Sequence, residues 1–139
     1  MSLKSKLFNY FFYLTFFLYH TTNNVSAKEM NASELYASCK NYYNWVIKDY
    51  NEPVDHKSMF YMGKCQGIIE TIGKTMLTLC YERRRNLNID SKLTANLEGV
   101  KTIEIVEKIL EYGSLKTNLR GISSQTYLIF LLNKIWPCN

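Results

Sequence analysis

The sequence is short of the residues from which most catalytic sites are built. It holds two histidines, and only His56 lies beyond the first 27 positions. That one follows a turn, where histidine is a solvated or capping residue rather than a general base. No Cys-x-x-Cys pair occurs, which removes the usual zinc-binding spacing. The six glycines form no phosphate-cradling loop. The acids are scattered, with no pair suited to glycoside chemistry. No alternation of apolar and polar residues marks a strand, and no repeat is present. A second long hydrophobic run is also missing, so nothing after residue 27 reads as a membrane span. These absences point away from an enzyme and from a metal or cofactor site.

What the chain does have begins with an export leader. Lys4 and Lys6 give a positive start, and Leu7 to Tyr19 is an apolar run containing five phenylalanines. Val25-Ser26-Ala27 supplies small residues ahead of a cut before Lys28. This is the layout of a secretory signal peptide cleaved after Ala27. The run is too short to span a bilayer comfortably, since about 20 residues are needed. Removing 27 of the 139 residues leaves 112, one small domain over residues 28–139. The formal charge of +5 falls to +3 when the two leader lysines go. That is too mild to imply a nucleic-acid partner, and after cleavage no membrane attachment is expected.

Cys39, Cys65, Cys80 and Cys138 all follow the leader. An even count in an exported domain reads as two disulfides. Cys65 and Cys80 lie on one predicted helix, with an apolar stripe at Met62, Cys65, Ile69, Ile72, Met76 and Cys80. At about 1.5 Å per residue their Cα atoms would be ~22 Å apart, far beyond the ~5.5 Å of a disulfide. Two pairings remain. Folding helices one and two into a hairpin about Pro53 places Cys39 near position 67. This favours Cys39–Cys65 with Cys80–Cys138. Cys39–Cys80 with Cys65–Cys138 stays open.

The helical pattern predicts an all-α bundle of four to five helices. Helix one spans Ala32 to Lys48, capped by Asn31 and Glu34, with Leu35, Cys39, Tyr42 and Val46 inward. Asn51-Glu52-Pro53 stops it. Asp55 caps helix two with help from Ser58. Gly63 and Gly67 share a face of that helix, where close approach of helix one is expected. The pattern breaks after Cys80. The text then reads as a loop to Gly99, with one helical turn near Leu93 to Leu97. Helix three covers Ile103 to Tyr112, capped by Thr102 and Gly113, with Ile103, Val106 and Leu110 buried. Helix four covers Ser124 to Ile135, with Leu128, Leu131, Leu132 and Ile135 inward.

Two polar segments are candidates for partner binding. One is Tyr81 to Asp90, with Arg83, Arg84 and Arg85. Its bland reading is a solvated helix end, where cations suit the macrodipole. The other is Gly113 to Gly121, with Ser114, Lys116, Asn118 and Arg120. The second is preferred because it is short and anchored by a helix on each side. The eight tyrosines after the leader add a weak signal for an interface. Asn31-Ala32-Ser33 matches a glycosylation sequon, a weak and host-dependent motif.

Several residues together suggest a family. A cysteine in helix one is followed by Cys65-x-Gly67-x-Ile69 in helix two and by Cys80 near its end. Gly99-Val100-x-Thr102 precedes Ile105-Val106-x-x-Ile109-Leu110. The chain closes on Trp136-Pro137-Cys138. This order resembles the Rap/Tai family of immunity proteins against type VI secretion peptidoglycan amidases, over roughly Leu35 to Cys138. The family tends to read Cys-x-Gly-Tyr-Ile-x-Gly, where this chain has Ile68 and Thr71. It also tends to place proline where Tyr81 follows the third cysteine. The resemblance implies a periplasmic, disulfide-bonded, non-enzymatic protein, often a homodimer, that plugs the active-site cleft of an amidase effector. The competing readings are a periplasmic helical chaperone or stress-response binding protein, a small secreted hydrolase and a host-directed effector.

Overall fold

The computed structural model describes residues 29–48, 53–85, 88–115 and 119–139. The leader and cleavage site expected from the sequence lie outside these. The described residues form four α-helices: α1 (Ala32–Ile47), α2 (His56–Arg84), α3 (Thr102–Ser114) and α4 (Ser124–Ile135). One 3-10 turn covers Ser91–Leu93. The protein is a small all-α bundle stapled by two disulfides. α1 packs on all three other helices, and α2 also touches α3 and α4.

Local chemistry sets the helix starts. The side chain of Asn31 accepts the Glu34 N–H at 2.9 Å, and the Asn31 N–H donates to the Glu34 carboxylate at 3.2 Å. Two of the orphan donors at this helix start are thus satisfied. Asp55 accepts from the N–H groups of Lys57 and Ser58 at 2.9 and 3.0 Å, and from the Ser58 hydroxyl at 2.7 Å. These bonds, the Ser58 hydroxyl first, hold the Asp55 carboxyl below its ordinary range. Ser123 caps α4 by accepting from the Thr126 N–H.

The staples are Cys39–Cys65, with Cα atoms 5.1 Å apart, and Cys80–Cys138, at 5.6 Å. The hairpin argument therefore selected the pairing that is found. Disulfides of this kind persist in oxidising compartments. Among the described residues no helix is long and apolar enough to cross a membrane.

The core gathers Leu35 from α1, Ile69 and Met76 from α2, Ile105, Val106 and Ile109 from α3, and Leu128, Leu131 and Leu132 from α4. Four expectations need correction. α2 does not stop at Cys80 but continues through Arg84, with Arg85 as its C-cap. Arg83 and Arg84 in this last turn bond the main chain of the tail that the Cys80–Cys138 disulfide ties down, which supports the helical form despite its polar sequence. The cap of α3 is Lys101, whose N–H donates to the Glu104 carboxylate at 3.3 Å, so Thr102 is the first helical residue. Buried on α3 are Ile105, Val106, Ile109 and Gly113, while Ile103 and Leu110 lie partly buried at its edges. So many apolar residues crowd this helix that periodicity alone admits two overlapping stripes.

The glycines supply the fourth correction. A Cβ built on Gly63 or Gly67 would meet nothing within 4 Å, so helix one does not press on them. Close approach occurs elsewhere. On Gly73 a Cβ would lie 3.3 Å from Leu97 Cδ1, and on Gly113 it would collide with the ring of Tyr36. Gly113 is therefore not a cap but the place where α1 crosses α3.

Candidate protein-binding surface

The segment from α3 to α4 is built on pinned ends. Ser114 closes α3, its hydroxyl donating to the Glu111 carbonyl at 2.7 Å. Leu115 follows as the C-cap and is 76% exposed. Lys116 and Asn118 lie outside the described residues. Leu119 returns to the core and is buried. Arg120 and Gly121 are exposed. The Ile122 carbonyl then accepts from the Ala32 N–H at 2.8 Å, and the Ser124 N–H donates to the Met30 carbonyl at 2.9 Å. An isolated antiparallel bridge joins Asn31 to Ser123. The start of α1 thereby clamps the start of α4, which no local sequence signal announced.

Beside this segment the outer face of α4 carries a hollow of about 200 Å³ lined by Ile122, Thr126, Tyr127 and Phe130. Phe130 is 54% exposed. Lys134 holds its ammonium 5.1 Å from the Tyr112 ring centre and 5.9 Å from that of Phe130, within cation–π range. Leu115, Tyr112 and Phe130 were missed by a reading that looked for polar loop residues. The available signal was the spacing Ile122, Thr126, Phe130, every fourth residue, on the side of α4 away from Leu128 and Leu131.

Tyr127 forms the inner wall of this hollow. Its hydroxyl donates to the Ile109 carbonyl at 3.3 Å. Burial, with a smaller contribution from Tyr36, pushes its phenol up to about 12.

The arginine segment is occupied differently. Arg83 donates through Nη1 to the Cys138 carbonyl at 3.2 Å, and Arg84 through Nε to the main-chain oxygen of Asn139 at 3.2 Å. Arg85 pairs with Glu82 at 3.3 Å. Two of the three arginines thus clasp the tail that Cys138 ties down. This end of the molecule is at the far end of α4 from Arg120. A 12-residue helix separates them by ~18 Å, so the two predicted patches do not merge.

The long segment before α3 is also internal scaffolding. Ala95 and Thr94 are fully buried. The Ala95 N–H donates to the Met76 carbonyl at 3.3 Å and the Asn96 N–H to the Trp136 carbonyl at 2.8 Å. The Asn133 amide donates to the carbonyls of Ser91 and Thr94 at 2.7 and 2.8 Å. Gly99 turns the chain at φ 74°, a conformation that favours glycine.

A polar cleft of about 180 Å³ lies where α1 ends and α2 begins, lined by Asn41, Asn44, Trp45, Lys48, Asp55 and Ser58, among others. Its carboxylate is already committed to capping α2. Among the described residues no group of three His, Cys, Asp or Glu is placed to hold a metal ion. All four cysteines are in disulfides, so none offers a thiolate nucleophile. No family model, curated protein or solved structure matches this chain.

Proposed function

We propose that this is a periplasmic immunity protein that binds a type VI secretion peptidoglycan amidase and occludes its active site. The reading joins the Rap/Tai-like residue order to one observation. That observation is the α3–α4 segment, fixed at its ends by buried Leu119 and the α1 clamp, with Leu115 and Arg120 exposed. Contacts mounted on such fixed ends, Leu115 on one side and Arg120 on the other, need little rearrangement of those ends to enter a cleft, which lowers the ordering cost of binding. The neighbouring hollow at Phe130 gives such a contact an apolar anchor, and aromatic anchors carry much of the energy of interfaces. Protein export into an oxidising compartment agrees with the two disulfides.

The test is co-expression of the exported chain with candidate amidases that carry a Cys–His pair, followed by pull-down and calorimetric titration. A complex of defined stoichiometry that abolishes amidase activity is the expected result. Leu115→Asp and Arg120→Glu should each weaken it at least tenfold, with the melting temperature unchanged. Unchanged affinity in both variants would rule this segment out. Broad binding to unfolded clients, with no amidase captured, would favour the chaperone reading instead.

A further inference from the structure

The buried residues of α1 are Ala32, Leu35, Ser38 and Cys39, all in its first half. Beyond them Asn41, Asn44, Trp45 and the C-cap Lys48 stand at positions i, i+3, i+4 and i+7, which share one side of a helix. Asn41 and Asn44 are exposed and Trp45 is partly buried. With Asp55 and Ser58 from the start of α2 they line the cleft of about 180 Å³. Pro53 and the buried Met62 add apolar wall to it. The hairpin therefore encloses a hollow that combines two side-chain amides with an indole.

We propose that this cleft binds a neutral saccharide, one pyranose ring at a time. A pyranose has an apolar face of C–H groups and an edge of hydroxyls that both donate and accept. An aromatic wall suits the face. Each asparagine amide offers a carbonyl acceptor and an NH2 donor to the edge. A few placed polar groups beside an apolar wall is the usual build of a small-ligand site. The size sets the one-ring limit, since pockets for drug-sized ligands begin at ~300 Å³.

Charge argues against the other ligand classes. Lys48 and Asp55 carry opposite signs at the same cleft, so no net charge there selects an anion or a cation. The start of α2, where a bare helix end would favour an anion, is already filled by Asp55. Its Oδ1 accepts the Lys57 and Ser58 N–H groups and its Oδ2 accepts the Ser58 hydroxyl. This carboxylate is held as a cap rather than offered to a cation. The amide pair and the indole, all neutral, are what the cleft presents for recognition. The cleft is also separate from the α3–α4 segment. That segment meets α1 at the Asn31–Ser123 bridge, ~20 Å along the helix from Trp45. The proposal therefore does not depend on which protein the α3–α4 segment occludes. A free sugar and the end of a glycan chain share this chemistry.

Titration of the exported, disulfide-bonded chain followed by proton–nitrogen NMR tests it. The probes are glucose, N-acetylglucosamine and the linear trimer of N-acetylglucosamine. At least one should move the Trp45 indole signal and the Asn41 and Asn44 side-chain amide signals saturably. A Kd of about a millimolar is expected, as suits a one-ring ligand. Tighter binding of the trimer than of the single ring would mark the end of a glycan chain as the source, and equal affinity a free sugar. Asn41→Ala and Asn44→Ala should each weaken binding at least tenfold. The melting temperature should stay equal or rise, because both positions are exposed and alanine is the better helix former. Residues that only solvate the end of α1 would not move these two readouts in opposite directions. No saturable shift with any of the three sugars at up to about 50 mM, shifts matched by glycerol, or binding unmoved by both variants would overturn the proposal.

Discussion

Gly113 lies inside α3, with the ring of Tyr36 where a Cβ would stand. Gly113→Ala forces that ring aside and should destabilise the protein by roughly 1–3 kcal/mol, the usual cost of overpacking. Gly63→Ala should do the reverse, gaining up to about 1 kcal/mol from helix propensity alone. Urea denaturation of the two variants checks both signs. Tyr127 offers a pH test. Its phenol titrates near 12 in the folded protein, against an ordinary value of 10.0. A raised folded value means the unfolded chain loses its proton first. The stability is whole below pH 10.0 and falls as pH rises toward about 12, by on the order of 3 kcal/mol. Tyr127→Phe should flatten that decline. Denaturation midpoints at pH 9 to 12 would show whether it does. These residue-level facts were hard to see in the sequence, because a glycine spells the same whether it is crowded by a ring or open to water.

At the level of elements, the caps and the hairpin were readable and the helix faces less so. Asn31 with Glu34, and Asp55 with Ser58, are short-range patterns whose partners lie within three residues. Local spacing therefore predicts them. Asp55 makes its contribution in the ionised form, since its folded carboxyl titrates lower than usual. That stability is present above the ordinary carboxylate range and is lost as pH falls through the lowered value. Asp55→Ala should thus lower the melting temperature at pH 7, and the difference should shrink in strong acid. Calorimetry at the two pH values separates these outcomes. The end of α2 was not readable, because Arg83 and Arg84 take partners at Cys138 and Asn139, 55 residues away. Of the candidate binding segment, its position between two helices could be read. Its clamp to Met30 and Ala32 could not, being a pairing between distant backbone groups.

For the whole molecule, the two disulfides set the scale of stability. They close loops of 26 and 58 residues. In the chain-entropy model these contribute about 3.5 and about 4 kcal/mol, a large share of the 5–15 kcal/mol typical of a domain. Cys80→Ala with Cys138→Ala should therefore cost about 4 kcal/mol. It should also free the tail, which near-ultraviolet dichroism at Trp136 would report alongside the denaturation midpoint. Arg83→Ala with Arg84→Ala, leaving the disulfide intact, should cost far less.

The amino-acid sequence by itself determined the helical class, the starts of α1, α2 and α4 and the hairpin about Pro53, and it favoured the cysteine pairing that is found. Each depends on periods, caps and chain lengths that act within one element or between neighbours. Only the tertiary structure decided which side of α3 faces inward, which glycines are crowded, and that the long segment from Asn88 to Lys101 is packed scaffolding. It likewise decided that the arginines hold the tail and that one face of α2 stands uncovered. Those outcomes depend on which surfaces meet across the bundle, and a meeting of surfaces leaves no period in the chain.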